Sequence, residues 1–377
     1  MVFTKECFEI DRLDVFLHGE HVGVLSMTQE GLAAFQYTRD WLRDGYSISP
    51  FSLPLSNEVF IANRHPLDGL FGVFDDSLPD GWGRLLVDRM LKGHGLSPHE
   101  IGHLARLAIV GSNGAGALEY RPSFDIEISE AYADLDTIAA DCSAVLASQN
   151  AKDLDGLFAM GGSSGGARPK VFYEIDGEEW IVKFPSSIDP ASIGEDEYRL
   201  ALAAKRCGIV MPEVRLLPSE KCAGYFATKR FDRVRKPDGS IEKVYMASAA
   251  ALLETSHRIP NLDYGQLMQL TLKLTGSMAE VERMFMLMVF NVLCGNRDDH
   301  SKNFTFICDS CGAWTLSPAY DLTDNPGMNG ERATTVNGKG RDISDMDMLA
   351  VASEAGISKF RAQEVIEVIT KLNLAGL

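Results

Sequence analysis

Long apolar runs are missing from this chain. No uninterrupted hydrophobic stretch approaches the roughly 20 residues that a membrane-spanning helix requires. The longest helical candidate, Met284 to Cys294, is interrupted by Asn291. The opening stretch, MVFTKECFEIDRLDV, carries charges where a secretory signal peptide has its apolar segment. Cysteines are few and scattered: Cys7, Cys142, Cys207, Cys222, Cys294, Cys308 and Cys311. That odd, dispersed set suits reduced thiols, and the expectation is a cytoplasmic protein. Cys308 and Cys311 form a single CxxC without the second pair that a structural zinc site needs, so it reads as a turn between two strands. Positive charge is also scarce. There are 36 lysines and arginines against 53 acidic residues, a net charge of −17. This argues against broad, direct binding of nucleic acid. A local basic patch, or DNA contact through a basic partner, stays open. No internal repeat or low-complexity tract is present.

What is present is the composition of a globular protein, 45% hydrophobic and 24% charged over 377 residues. That length suggests two or three packed units. Residues 12–25 alternate apolar and polar around His18-Gly19-Glu20 and predict a β-hairpin. Residues 76–94 predict a turn leading into a helix that stops at Gly93 or Gly95. Residues 105–120 read as short strands with glycine turns. Residues 1–150 are therefore expected to form a mixed α+β subdomain. Residues 151–245 change in texture: a glycine-dense stretch, strands at 171–175 and 180–184 joined by Asp176-Gly177, a helix over 193–207, and strands at 213–217 and 224–231. Residues 246–377 read as mostly helical, with an apolar helix at 278–294 and a short strand pair at 304–307 and 314–316. A β-rich part followed by a helical part is the order of a protein-kinase-like bilobal fold.

Four stretches carry chemistry. The first is Asn296-Arg297-Asp298-Asp299-His300-Ser301-Lys302-Asn303. A kinase catalytic loop reads H-R-D-x-x-x-x-N, placing a carboxylate that accepts a hydroxyl proton and an amide oxygen for magnesium on one tight loop. Arg297-Asp298 and Asn303 have that spacing, with Asn296 in place of the histidine. Asp299 is off by one and ranks second. As isolated residues they also suit a polar turn after a buried helix. The second is Tyr320-Asp321-Leu322; with Asn303, Asp321 would complete an all-oxygen Mg²⁺ site. The third is Trp180 to Phe184, an apolar strand bearing Lys183, whose ammonium would pair with nucleotide phosphates or, alternatively, snorkel from a strand edge. Glu197 is its candidate ion-pair partner, with Glu195 and Asp196 competing. The fourth is Gly161 to Lys170, whose small residues allow backbone N–H groups to approach phosphate oxygens. It fits neither the Walker A nor the G-x-G-x-x-G pattern, and alone it also suits a flexible linker.

Together these stretches resemble the HipA-like serine/threonine kinase toxins of bacterial toxin–antitoxin pairs. The resemblance rests on SSGGARPK (163–170), WIVKFP (180–185), KRFDR (229–233), NRDDHSKNF (296–304) and LSPAYDL (316–322). In the opening third it rests on LDVFLHGEHVG (13–23), FDDSLPDGWGR (74–84) and LAIVGSNGAGAL (107–118). The resemblance implies ATP- and Mg²⁺-dependent phosphorylation of a serine in a protein target, such as an aminoacyl-tRNA synthetase. It implies Asp298 as catalytic base and Asn303 and Asp321 as Mg²⁺ ligands. It also implies nucleotide contacts from Ser164, Gly165, Gly166, Ala167, Lys170, Lys183 and His300, with Lys229 and Phe231 meeting adenine. Ser163 would be the autophosphorylation site, with Ser164 as the adjacent alternative. A separate helix-turn-helix antitoxin (HipB-like) would bind the kinase, with operator DNA met only within that complex; Lys339 and Arg341 are then either DNA contacts or part of a solvated loop. Two other readings are a small-molecule phosphotransferase and a catalytically weak co-repressor module.

Overall fold

In this computed structural model, residues 8–124, 134–149, 151 and 153–374 are described. The chain divides into two compact units. One runs up to Glu195 and takes in Arg215–Met246; the other comprises Asp196–Val214 and Ala247 onward.

The first unit opens with strands β1 (Arg12–Leu17), β2 (Glu20–Met27), β3 (Ala33–Tyr37) and β4 (Phe60–Ile61). With β5 (Leu118–Arg121) they form a sheet in the order β4-β3-β2-β1-β5. Along β1 the side chains of Leu13, Val15 and Leu17 are buried in alternation, as a half-buried strand requires. The β1–β2 turn at His18-Gly19 has positive φ at both residues (52° and 83°), the geometry that matches strand twist in a two-residue hairpin. Helices α1 (Arg39–Asp44), α2 (Gly72–Asp75), α3 (Gly81–Gly93) and α4 (His103–Val110) lie between β3 and β5 in sequence.

Helix α4 corrects the expectation of strands over 105–120; only Leu118–Arg121 is a strand. Leu104, Ala105, Leu107, Ala108, Ile109 and Val110 are all buried. A segment apolar on every side has no periodicity to separate a short helix from a buried strand.

After α5 (Leu135–Leu146) and α6 (Leu154–Gly161) comes a second sheet of β6 (Lys170–Ile175), β7 (Glu178–Lys183), β8 (Val214–Leu217) and β9 (Tyr225–Lys229), in the order β6-β7-β9-β8. Its apolar face shares one core with α3, α5 and α6, built from Trp82, Leu86, Leu157, Phe158, Val182 and Tyr225 among others. The small hairpin β10 (Arg233–Arg235) and β11 (Ile241–Lys243) follows.

Helix α7 (Ile193–Arg206) leads into the second unit. After β12 (Tyr245–Ser248) and α8 (Ala249–Leu252), that unit contains β13 (Leu262–Asp263), α9 (Tyr264–Thr275), α10 (Met278–Leu293), the hairpin β14 (Thr305–Cys308) and β15 (Trp314–Leu316), β16 (Thr334–Thr335), α11 (Asp345–Glu354) and α12 (Lys359–Leu374). Helix α10 packs on α9 and α12 and buries Val281, Met284, Phe285, Met288, Val289 and Phe290. Cys308 ends β14 and Cys311 sits in the turn to β15, where Asp309 Oδ1 accepts from the N–H groups of Cys311 and Ala313. The six described cysteines are free thiols; Cys7 lies outside the described residues. Among the described residues, no helix is long and apolar enough to cross a membrane.

Candidate active site

In the first unit, β6 and β7 run antiparallel with Lys170 directly opposite Lys183. Directly opposed residues share one face of a sheet, so two lysines stand side by side, each 8% exposed. Two like charges placed together mutually repel, and an anion between or over them relieves that repulsion. The Lys183 ammonium also lies 5.4 Å from the Phe226 ring centroid. The glycine-dense segment precedes β6, and the Lys170 ammonium lies against Gly166.

Within this segment the two serines differ. Ser164 is buried, and its hydroxyl donates to the Gly161 carbonyl at 2.6 Å. Ser163 is half-buried, and its hydroxyl donates to the Asn113 carbonyl at 2.7 Å. Gly165 and Ala167 are exposed. Lys229, at the end of β9, pairs its ammonium with Glu178 at 3.1 Å, and Phe231 is half-buried beyond it.

The KRFDR segment contains a charge cluster that sequence reading left unassigned. Arg230 and Arg233 both pair with Asp232, at 2.7 and 2.9 Å. The three fix the 113–116 turn: Arg233 donates to the carbonyls of Gly114 and Gly116, and Asp232 accepts from the Gly116 N–H. Burial would raise the Asp232 carboxyl, but the two guanidinium groups and the Gly116 N–H hold it down at about 2.

In the second unit, residues 296–303 follow α10. The two adjacent aspartates have opposite environments. Asp298 is exposed, whereas Asp299 is 1% exposed. The Asp299 carboxylate accepts from the Tyr264 hydroxyl (2.8 Å), an Arg332 guanidinium N–H (2.7 Å) and the Thr334 N–H (3.2 Å). Arg332 also donates to the Asn296 carbonyl. Asn296 donates to Asn291 Oδ1 (3.1 Å), and Asn291 donates to the Tyr264 oxygen (2.9 Å). Burial and the nearby Asp299 carboxylate push the Tyr264 phenol well above its ordinary pKa. This closed buried network clamps the loop, and the Asn296 side chain in turn accepts from the Asp298 N–H at 3.2 Å. Asn296 thus supports the backbone where the kinase pattern has histidine.

Asn303 donates its Nδ2 to the Asp298 carbonyl at 2.8 Å, which closes the loop and leaves the amide oxygen as the atom that could meet a cation. Tyr320 ties the next segment to the same loop, donating to the Lys302 carbonyl at 2.5 Å and bonding Thr305 at 2.6 Å. Asp321 follows with φ 56°, a left-handed conformation that aspartate tolerates better than most residues and that clusters at functional sites. Asn303 and Asp321 offer an amide oxygen and a carboxylate, the hard oxygen donors that suit Mg²⁺. Nearby, His300 Nδ1 and Ser301 Oγ are buried without a hydrogen-bond partner among the described residues. Glu197 is a buried residue of α7. Lys339 pairs with Asp347 at 2.8 Å.

Tyr264, Asn291, Arg332 and Thr334 escaped the sequence reading. Asn291, a lone amide inside an apolar helix, was the available signal. Arg332 sits in an irregular segment that carries no periodic pattern.

The fold is the protein-kinase-like α+β class expected from the sequence. The chain is structurally similar to a chain of the "Shewanella oneidensis MR-1 Toxin Antitoxin System HipA, HipB and its operator DNA complex", with a TM-score of 0.72 over 96% of this chain and 91% of that one, at 19% identity. The chain belongs to the HipA family: the HipA-like C-terminal domain matches residues 162–374 and the HipA N-terminal domain matches residues 13–121. Two relatives from Sinorhizobium fredii are similar along most of their length. "Putative kinase Y4dM" is 27% identical over 343 residues, covering 86% of this chain and 80% of the relative. "Putative kinase Y4mE" is 26% identical over 375 residues, covering 92% and 86%.

Proposed function

We propose that this chain is an ATP- and Mg²⁺-dependent serine/threonine protein kinase and the toxin of a toxin–antitoxin pair. The observation that carries this reading is the sorting of the two adjacent aspartates. Asp299 is consumed by the Tyr264–Arg332–Thr334 network, so Asp298 is the carboxylate presented on the loop surface. The opposed Lys170 and Lys183, beneath a glycine segment, support binding of a polyphosphate. Membership of the HipA family, and relatives named as kinases, support the same class.

In this reading Asp298 accepts the proton of a serine hydroxyl as its oxygen attacks the γ-phosphorus of ATP. The new O–P bond forms as the bond to the ADP oxygen breaks, and ADP leaves. Lys183 and Lys170 neutralise phosphate charge, with the backbone N–H groups of Gly165 and Ala167 in the same loop; those of Ser164 and Gly166 donate to the Gly161 carbonyl and the Asp80 carboxylate. Lys229 and Phe231 would border the adenine through their backbone, and His300 would contribute to nucleotide binding. Asn303 and Asp321 would hold Mg²⁺, which when bound would supply positive charge against the phosphates. Residues 151–245 then serve nucleotide binding and 246–377 supply the catalytic loop.

Ser163 is the proposed self-modification site. Its accessibility, against the buried Ser164, supports that choice. A phosphate there would replace the hydroxyl that donates to Asn113 and place negative charge on a phosphate-binding loop, which turns the kinase off. The partner is a helix-turn-helix antitoxin of the HipB kind, with operator DNA reached only through it, and the external target is a protein such as an aminoacyl-tRNA synthetase. An acceptor screen tests the class. With labelled ATP, label should pass to serines of protein acceptors and not to aminoglycoside-type hydroxyls. Transfer to small molecules alone would overturn the reading.

A further inference from the structure

We propose that Asp80, at the start of α3, is a positioning residue that presets the glycine loop before nucleotide arrives. This rests on the kinase reading above. Asp80 stands where a helix-capping residue stands, with extended backbone, yet its side chain makes no capping bond to its own helix. A capping aspartate normally accepts from the second or third N–H of the helix. Here the Asp80 carboxylate reaches instead to the Gly166 N–H. The early helix N–H of Trp82, left unsatisfied by capping, donates to the Gly166 carbonyl at 2.8 Å. Trp82 Nε1 donates to the Lys170 carbonyl at 3.0 Å. Both faces of the Gly166 peptide environment, and the backbone of one phosphate-facing lysine, are therefore held by Asp80 and Trp82.

The approach is so close that side chains are excluded. A Cβ on Gly81 would collide with the Gly166 carbonyl, and one on Gly83 with the Ser164 carbonyl. Gly166 itself has φ 78°, a conformation that must be held for the loop to keep its shape. The other end of the loop is held at Ser163 by Asn113, whose own turn is fixed by Arg230, Asp232 and Arg233. The loop is gripped at both ends by segments that precede it in sequence.

Asp80 brings a negative charge near a phosphate loop, so two roles give opposite results. A positioning role means that losing the carboxylate weakens nucleotide binding. Competition with phosphate means that losing it strengthens binding. The test measures KM for MgATP, kcat, and hydrogen exchange of the 162–168 backbone in the nucleotide-free full chain. The variants are Asp80→Ala, Asp80→Ser and Asp80→Asn. Serine keeps a helix-start hydroxyl, which protects folding, but is too short to reach the loop. Asparagine keeps an acceptor without the charge.

The expected result is a KM raised about tenfold in the alanine and serine variants, with kcat within about twofold and faster exchange in 162–168. The asparagine variant should restore KM to within about threefold of the parent. A lowered KM, or an unchanged KM and exchange in the alanine and serine variants, overturns the proposal while leaving the kinase intact. A parent chain that neither binds nor turns over MgATP overturns the kinase reading, and this proposal with it.

Discussion

Replacing Arg332 by leucine removes the guanidinium that faces Asp299 at 2.7 Å in a site where the two side chains are 4% and 0% exposed. What remains around the carboxylate is the Tyr264 hydroxyl and the Thr334 N–H. Breaking a buried pair by removing one partner costs about 3–5 kcal/mol, because the other charge stays desolvated. Against a typical total of about 5–15 kcal/mol, that is a large loss. With an m-value of about 3 kcal/mol per molar urea, the unfolding midpoint falls by about 1 M or more. The double variant Asp299→Asn with Arg332→Leu removes both charges and should recover part of the loss, a coupling of at least about 1 kcal/mol. Urea unfolding of the parent, both single variants and the double variant at pH of about 7 is the assay. A midpoint within about 0.3 M of the parent for Arg332→Leu, or a double variant equal to the sum of the singles, would refute the network.

Two further outcomes follow from the same geometry. Asp232 is held at about 2 against an ordinary 3.8; a depressed folded pKa gives stability that is present above about pH 4 and lost as pH falls toward 2, worth roughly 2 kcal/mol. Thermal midpoints between about pH 5 and 3 should therefore fall more steeply in the parent than in Asp232→Asn, and equal slopes would contradict the assignment. Asn303→Leu removes both the bond that closes the loop on the Asp298 carbonyl and a proposed metal ligand. The Mg²⁺ concentration for half-maximal activity should rise at least about tenfold, and an unchanged requirement would remove Asn303 from the metal site.

Where local chemistry is periodic or motif-bound, the sequence was readable. The His18-Gly19 turn between alternating strands, the apolar helix after Ser277 and the spacing of Asp298 and Asn303 are each set by residues close in the chain. The β6–β7 turn at Asp176-Gly177 puts Lys170 across from Lys183, a pairing that follows from hairpin register once both strands are known. Helix α4 was misread because its all-apolar run has no face. The clamp on Asp299 was invisible for a different reason: Tyr264, Asn291 and Arg332 come from separate elements, and only the folded chain brings them to one carboxylate. The same holds for Asp80, whose sequence context marks a helix start and gives no sign that its side chain serves a loop 86 residues away.

The most direct measurement is incubation of the purified chain with γ-labelled ATP and Mg²⁺, beside Asp298→Asn, followed by mass-spectrometric mapping of the labelled residue. Label is expected on Ser163 in the parent, with a loss of about 10²-fold or more in Asp298→Asn, the range for removing a general base. Undiminished labelling in Asp298→Asn would contradict the central claim.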